Sequence, residues 1–133
     1  MNAPVAARPG RSLKVLVADD NIINQRVATA ILSTLGHTGV VVSDGEKVLR
    51  CLAALKFDVV LMDVMMPVMD GLQAVAAIRQ KEQSTGKHQT IIMCTSHAEP
   101  GDDVRFMSAG ADGYIAKPIS AEHLNAELQR LGL

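Results

Sequence analysis

The sequence lacks three features that mark large classes of protein: an excess of basic residues, clustered cysteines and a long apolar segment. Its 13 Lys and Arg residues against 14 Asp and Glu give a net charge of −1, so composition favours neither a nucleic acid nor an anionic membrane as partner. Cys51 and Cys94 lie far apart among apolar neighbours, which indicates buried free thiols and argues against a zinc site. No apolar run approaches the ~18 residues needed to cross a bilayer, and we expect a soluble, cytoplasmic protein.

A length of 133 residues, with 48% hydrophobic and 20% charged residues, fits one globular domain and argues against disorder or a coiled coil. Residues 1–12 contain two prolines, a glycine and two arginines, but no apolar centre of the kind found in a signal peptide. We therefore predict a flexible tail over residues 1–12 and a folded domain over residues 13–133. The sequence leaves open whether the chain stands alone or is excised from a longer protein.

Short apolar runs alternate five times with segments of helical spacing. The runs cover residues 13–18, 40–42, 58–62, 91–94 and 113–116. Runs that are apolar throughout are typical of strands buried on both faces, and this indicates a parallel sheet with helices on each side. Because crossovers between parallel strands are right-handed, we predict a flavodoxin-like (βα)5 fold with strand order 2-1-3-4-5.

The segments between the runs have apolar residues at the spacing of amphipathic helices. We expect the second helix to open with a capping box of Ser43 and Glu46, and the fifth helix to open at Ser120. The apolar residues expected on the buried helix faces are, in chain order, Ile23, Val27, Ile31 and Leu35; Val48, Leu49, Leu52 and Leu55; Leu72, Val75 and Ile78; Val104 and Met107; and Leu124, Leu128 and Leu131.

Polar side chains follow four of the predicted strands at their carboxyl ends. Asp19 and Asp20 follow the first strand, Asp63 the third, Thr95 the fourth and Lys117 the fifth. Three carboxylates converging on one edge of the sheet need a cation, and an open acidic cleft of this kind suits Mg²⁺. Taken singly, each of these residues also fits a cap, a turn or a surface position. Together they predict a site for a phosphoryl group, with a carboxylate nucleophile, Mg²⁺, a lysine and a hydroxyl donor.

Four motifs resemble those of a response regulator receiver domain: VADDN at 17–21, VLMDVMMPVMDG at 60–71, TS at 95–96 and GYIAKPI at 113–119. The resemblance covers about residues 13–131. It implies that Asp63 is the phosphoacceptor, that Asp20 is a direct Mg²⁺ ligand, and that Asp19 acts on the ion mainly through water. It also implies a backbone ligand at the Met65 carbonyl. The run at 19–24 is similar to that of receivers attached to hybrid histidine kinases.

The same resemblance implies how the domain signals. Lys117 would contact the phosphoryl group, Thr95 would be the switch hydroxyl, Tyr114 the aromatic that reorients with it, and Pro118 a cis proline. The implied function is two-component phosphorelay: a histidine kinase or histidine phosphotransfer protein donates the phosphoryl group, and the surface of the fourth helix, fifth strand and fifth helix then controls an unknown downstream protein. We expect no enzyme activity beyond its own phosphorylation and dephosphorylation, no direct contact with nucleic acid or membrane, and a monomer or a weak phosphorylation-dependent homodimer.

Two positions depart from the residues that often assist hydrolysis in this family. Met65 lies two residues after the predicted acceptor and His97 two residues after Thr95, and neither is an acid or an amide. We therefore predict a phosphorylated state that lasts minutes or longer. His97 considered alone is also typical of a solvated loop histidine. The Met-rich loop at 64–69 borders the predicted cleft and could help to dock a partner helix.

Two other functions fit parts of the sequence. A receiver-like interaction module that never uses phosphate is one alternative, although such a module is expected to have lost acidic site residues that this chain retains. A Mg²⁺-dependent phosphohydrolase that forms an aspartyl phosphate is the other. Enzymes of that type resemble DxDx(T/V) at the nucleophile, but Met65 stands in place of the second Asp, and 133 residues leave no room for a cap domain.

Overall fold

In the computed structural model, which describes residues 12–96 and 98–133, five parallel strands form one sheet in the order β2-β1-β3-β4-β5. The predicted fold is therefore confirmed, while the tail predicted over residues 1–12 lies outside the described residues except for Ser12. The elements are β1 Lys14–Ala18, α1 Ile22–Thr34, β2 Thr38–Val42, α2 Gly45–Ala54, β3 Val59–Asp63, α3 Gly71–Thr85, β4 Ile91–Thr95, α4 Asp102–Ala109, β5 Gly113–Ala116 and α5 Ala121–Arg130.

The sheet separates two apolar clusters, because successive side chains of a strand point to opposite faces. In β1, Val15 and Val17 belong to the cluster under α1 and α5, whereas Leu16 and Ala18 belong to the cluster under α2, α3 and α4. Strands β3 and β4 are buried throughout. The expectation of full burial is wrong for β2, where Val40 is 41% exposed, because this edge strand has one neighbouring strand.

Helix α4 buries a different face from the predicted one, and α1 buries only part of its predicted face. In α1, the predicted Ile31 and Leu35 pack beside the buried Ala28 and Leu32, while Ile23 is 63% and Val27 40% exposed. The contact of α1 with the core therefore begins at Ala28 and leaves the two earlier apolar residues outside it. In α4, Phe106 is buried, and Val104 and Met107 are 65% and 44% exposed.

The second helix begins one residue later than the predicted capping box. Asp44 is the N-cap, and its side chain accepts a hydrogen bond from the Lys47 N–H at 2.9 Å. Ser43 instead accepts from the Lys47 ammonium at 2.8 Å, and Glu46 pairs with Arg50 at 3.1 Å. The prediction was wrong because a carboxylate and a hydroxyl are both good N-caps, and the two residues are adjacent.

The fifth helix agrees with the sequence pattern. Ser120 is its N-cap and accepts from the His123 N–H at 3.1 Å. Leu124 and Leu128 are buried against the sheet, and Leu131 ends the helix as its C-cap. Within residues 12–96 and 98–133, no helix combines the length and the apolar composition that crossing a membrane requires.

Candidate functional site

Three carboxylates meet at the carboxyl edge of the sheet. Strands β1 and β3 are neighbours in register, so that Ala18 pairs with Met62 and the aspartates at the ends of the two strands are adjacent. One oxygen each of Asp19, Asp20 and Asp63 lies within 4.8 Å of the others. Asp19 and Asp63 are buried, and Asp20 is exposed. The convergence predicted from the strand order is therefore present.

Lys117 joins two of these carboxylates. It follows β5, and its Nζ lies 2.6 Å from Asp19 Oδ2 and 3.1 Å from Asp63 Oδ1. Its side chain is 9% exposed, and its N–H donates to the Thr95 carbonyl at 2.8 Å. Lys117 is therefore not an ordinary surface lysine, because both its backbone and its ammonium are held at the site.

The electrostatics of the site follow from burial and crowding. Burial raises the pKa of the Asp63 carboxyl; the Lys117 ammonium opposes that rise, and the charges of Asp19 and Asp20 add to it. Burial alone would lower the pKa of Lys117, but its hydrogen bond to Asp19 and the charge of Asp63 outweigh burial, and the pKa is raised. The ammonium is therefore charged at neutral pH.

The buried thiol beside Asp63 does not share in this chemistry. Cys94 of β4 pairs in register with Asp63 of β3. Burial raises the pKa of the Cys94 thiol to about 12, so it stays protonated and unreactive at neutral pH. This agrees with the prediction of buried free thiols for Cys94, whereas Cys51 is only partly buried.

The carboxylates open into a cleft of about 490 Å³. Its polar lining and its open acidic edge fit a hard cation that prefers oxygen ligands and keeps several waters, as Mg²⁺ does. Met65 and Thr95 border the cleft, whereas Tyr114 lies behind it and packs edge-on against Phe106 with ring centroids 5.7 Å apart. The lining consists of Asp20, Asn21, Asn24, Asp63, Val64, Met65, Thr95, Ser96, Glu99, Asp102, Arg105, Phe106 and Lys117.

Sequence reasoning missed the wall that α4 gives to this cleft. Asp102, Arg105 and Phe106 of α4 form that wall, together with Glu99 of the loop before the helix, and Asp102 is 6% exposed although it is an acid. The spacing of Asp102 and Phe106, four residues apart, could have signalled that both lie on one face of the helix. The apolar pattern of Val104 and Met107 pointed instead to the opposite face.

The family model of the response regulator receiver domain matches residues 15–129. The chain belongs to this family. It is a receiver domain of two-component phosphorelay signalling, in a family of signalling domains rather than of classical enzymes. The resemblance noted in the sequence is thereby confirmed for nearly the whole chain.

Known relatives of this receiver include parts of much longer kinases. It is 39% identical over 116 residues to hybrid signal transduction histidine kinase I of Dictyostelium discoideum, covering 84% of this chain and 7% of that protein. It is 35% identical over 122 residues to the sensor histidine kinase GacS of Pseudomonas protegens, covering 91% of this chain and 13% of that protein. The receiver thus spans a small fraction of the length of these relatives.

Solved structures show the same fold. The receiver domain of sensor histidine kinase PA1611 from Pseudomonas aeruginosa, solved with a magnesium ion in its active site cleft, is 36% identical with a TM-score of 0.79, over 90% of this chain and 97% of that one. Chemotaxis protein CheY4 of Vibrio cholerae is 34% identical with a TM-score of 0.79, over 90% of this chain and 98% of that one.

The segment that leads from β3 into the first residue of α3 has two unusual backbone positions. Gly71 lies so close to the Asp63 carbonyl that a Cβ there would clash with it, so glycine is required. Val68 has φ +67°, and the Met69 N–H donates to the Pro67 carbonyl at 2.7 Å across it. A β-branched residue in the left-handed region is strained, and such strain concentrates at functional sites.

Two remaining sequence expectations have different outcomes. The Lys117–Pro118 peptide bond is cis, as the resemblance implied. His97 lies outside the described residues, so the long phosphoryl lifetime expected from Met65 and His97 stays a prediction.

Proposed function

We propose that this receiver accepts a phosphoryl group on Asp63, with Mg²⁺ bound, from a phosphohistidine of a histidine kinase or phosphotransfer domain. One observation carries the proposal: the Lys117 ammonium lies between Asp19 and Asp63, at 2.6 and 3.1 Å, on the edge of an open cleft. A nucleophilic carboxylate, two further carboxylates and a fixed cation are the groups that phosphoryl transfer to an acid requires.

In this proposal, each side chain has a distinct task. An Asp63 oxygen forms a bond to phosphorus while the phosphorus–nitrogen bond of the donor histidine breaks and its electron pair returns to the imidazole. Lys117 places its positive charge beside the incoming phosphoryl oxygens, and the Thr95 hydroxyl donates to one of them. Asp19, Asp20, Asp63 and the Met65 carbonyl would hold Mg²⁺, which when bound offsets the repulsion between carboxylate and phosphoryl oxygens.

The output would follow from a shift in population between two arrangements of the switch residues. When Thr95 turns toward the phosphoryl group, the space that it leaves lets Tyr114 turn inward. Tyr114 packs on Phe106 at 5.7 Å, so its motion would alter the contact of β5 with α4. The α4, β5 and α5 surface would then control a downstream protein, and the receiver would be a monomer or form a weak homodimer when phosphorylated.

We also propose that residues 13–133 form the receiver domain, with residues 1–12 as a tail, and that it works in the cytoplasm. The family match over residues 15–129 supports the first statement. The second statement rests on the proposed phosphodonor, because direct transfer to Asp63 requires the donor and the receiver to share a compartment. Removal of residues 1–12 should leave the unfolding midpoint in urea unchanged, and a lowered midpoint would contradict this assignment.

Intact-protein mass spectrometry after incubation with acetyl phosphate tests the proposed chemistry. Wild type should gain one phosphoryl group when Mg²⁺ is present and far less after chelation, and Asp63→Asn should gain none. Asp103→Asn, which removes an exposed aspartate of α4, is the matched control and should label like wild type. A folded wild type that gains no phosphoryl group would instead favour the phosphate-independent interaction module, and labelling of Asp63→Asn would move the acceptor elsewhere.

A further inference from the structure

The α4 wall of the cleft contains a cation that the proposed function leaves unused. Of the described residues that line the cleft, Lys117 and Arg105 are the basic ones. Asp20, Asp63, Glu99 and Asp102 line the same cleft, so its carboxylates outnumber its cations. A phosphoryl group carrying a charge of roughly −1.5 to −2 would enter this space and would attract both cations.

The two cations differ in how firmly they are held. The Lys117 side chain is 9% exposed and contacts two carboxylates at 2.6 and 3.1 Å. The Arg105 side chain is 54% exposed, and its Nη1 lies 3.4 Å from Asp102 Oδ1. Charge-assisted hydrogen bonds are typically ~2.7–2.9 Å long, so the contact of Arg105 with Asp102 is weak. Arg105 can leave Asp102 without orphaning it, because Asp102 Oδ2 also accepts from the Glu99 N–H at 2.9 Å.

Arg105 also touches the aromatic pair behind the cleft. Its guanidinium carbon lies 5.1 Å from the centroid of the Phe106 ring, within the ~6 Å range of a cation–π contact. Phe106 is 1% exposed, and its ring meets Tyr114 at 5.7 Å in a T-shaped arrangement. The position of Arg105 is thus linked through one buried ring to β5.

We propose that Arg105 is a second phosphoryl-binding residue, which leaves Asp102 and the Phe106 ring to contact the phosphoryl group on Asp63. The inference rests on the proposed function. The planar guanidinium can donate two parallel hydrogen bonds to phosphoryl oxygens. Its present contact is weaker, because it reaches a single oxygen of Asp102 at 3.4 Å. This movement draws α4 toward the cleft and removes a charge from the face of Phe106. Phosphorylation of Asp63 then changes how α4 packs on β5 through Arg105 and Phe106, independently of Thr95.

Calorimetric titration of the full chain with two probes tests this role. The first probe is beryllofluoride, a tetrahedral phosphoryl mimic, added in saturating Mg²⁺, and the second is Mg²⁺ alone. Arg105→Gln should bind beryllofluoride about tenfold more weakly, because it loses one charge-assisted contact. It should bind Mg²⁺ alone as tightly as wild type or more tightly, because a positive charge has left the cleft. A merely structural role would weaken both.

Two control variants sharpen the result. Arg50→Gln removes an exposed arginine of α2 that also pairs within its own helix, and it should bind both probes like wild type. Arg105→Lys keeps the charge without the planar fork and should fall between wild type and Arg105→Gln for beryllofluoride. Equal beryllofluoride affinity in Arg105→Gln and wild type would overturn the inference, as would a parallel loss of both affinities. Wild type that binds no beryllofluoride would overturn the proposed function itself.

Discussion

The two edges of the sheet each carry a cluster of charged side chains, but the clusters are built differently. At the amino edge, Arg79 donates to the Gly110 and Gln89 carbonyls at 2.8 Å each, to Glu82 at 2.8 Å and to Asp112 at 2.9 Å. At the carboxyl edge, three carboxylates lie together and Lys117 contacts two of them, Asp19 and Asp63. In the first cluster both carboxylates bond directly to Arg79, whereas the second sets three carboxylates against one lysine.

The side chains of the amino-edge cluster also bond to backbone groups around them. Asp112 Oδ2 accepts from the Ile91 N–H at 2.8 Å as well as from Arg79, and Asp112 Oδ1 lies 2.6 Å from His88 Nε2. The Gln89 N–H donates to Glu82 at the same edge. These bonds join α3 to the starts of β4 and β5. Charged groups whose partners are all internal hold elements of the fold together, whereas the proposed Mg²⁺ would supply the partner that the carboxylates of the carboxyl edge lack.

The largest expected effect on stability comes from breaking the amino-edge cluster. Arg79→Met should lower the free energy of unfolding by about 2–4 kcal/mol, because it removes the guanidinium from two mostly buried carboxylates, Glu82 and Asp112, and from two carbonyls. Urea titration measures this change. The control Arg50→Met removes a 73% exposed arginine and should change stability by less than ~0.5 kcal/mol. An equal loss of stability in both variants would show that the amino-edge cluster stabilises the fold no more than an exposed arginine does.

Replacing an aspartate by asparagine should change the stability in opposite directions at the two edges. Asp112→Asn should destabilise the metal-free protein by about 1–3 kcal/mol, because it weakens the bonds to Arg79 and His88. Asp20→Asn should instead stabilise the metal-free protein by about 0.5–1 kcal/mol, because it removes one of three like charges. Thermal unfolding with and without Mg²⁺ measures both, and Asp20→Asn should lose most of the stabilisation by Mg²⁺. If both variants destabilised the metal-free protein, the proposed difference between the two edges would be contradicted.

The smallest effect is a pH dependence at the amino edge. His37 Nδ1 accepts from the Leu13 N–H at 3.1 Å, and burial lowers the pKa of His37 below its ordinary value of 6.5, with the charge of Asp58 opposing. The folded protein therefore binds this proton less readily than the unfolded chain, so stability falls as pH drops through 6.5 and levels off below the folded pKa.

A matched pair of variants isolates this histidine. The stability of wild type relative to His37→Gln should shrink as pH is lowered, as measured by urea titration across the range. His123→Gln, at an exposed position of α5, should show no such trend relative to wild type. A constant difference between wild type and His37→Gln would contradict the assignment.

The carboxyl edge could be predicted from the sequence, and the amino edge could not. Strand order follows from local apolar runs, and it places Asp19, Asp63 and Lys117 together because each follows its own strand directly. Arg79 and Asp112 lie 33 residues apart, and no local pattern pairs them. Asp102, the partner of Arg105, lies only three residues away, but the position of Arg105 in the cleft depends on how α4 packs.

The helix faces show the same limit. Apolar spacing predicted Val104 and Met107 as the buried residues of α4, whereas Phe106 is the one that the core accepts. Spacing alone cannot decide which of two apolar faces of a short helix is buried, because the choice depends on how the helix packs on the sheet. Local sequence does not contain that information. In α5, Leu124 and Leu128 offered one clear face, and the prediction held.

The edge-on pair of Phe106 and Tyr114 has an optical consequence. The chain contains one tyrosine and no tryptophan, so its near-ultraviolet emission comes essentially from Tyr114. That single fluorophore sits on β5, in contact with the ring over which Arg105 lies. The protein thus contains its own unlabelled probe of the α4–β5 contact, which can be followed in real time in a stopped-flow cell without adding a dye or changing a residue.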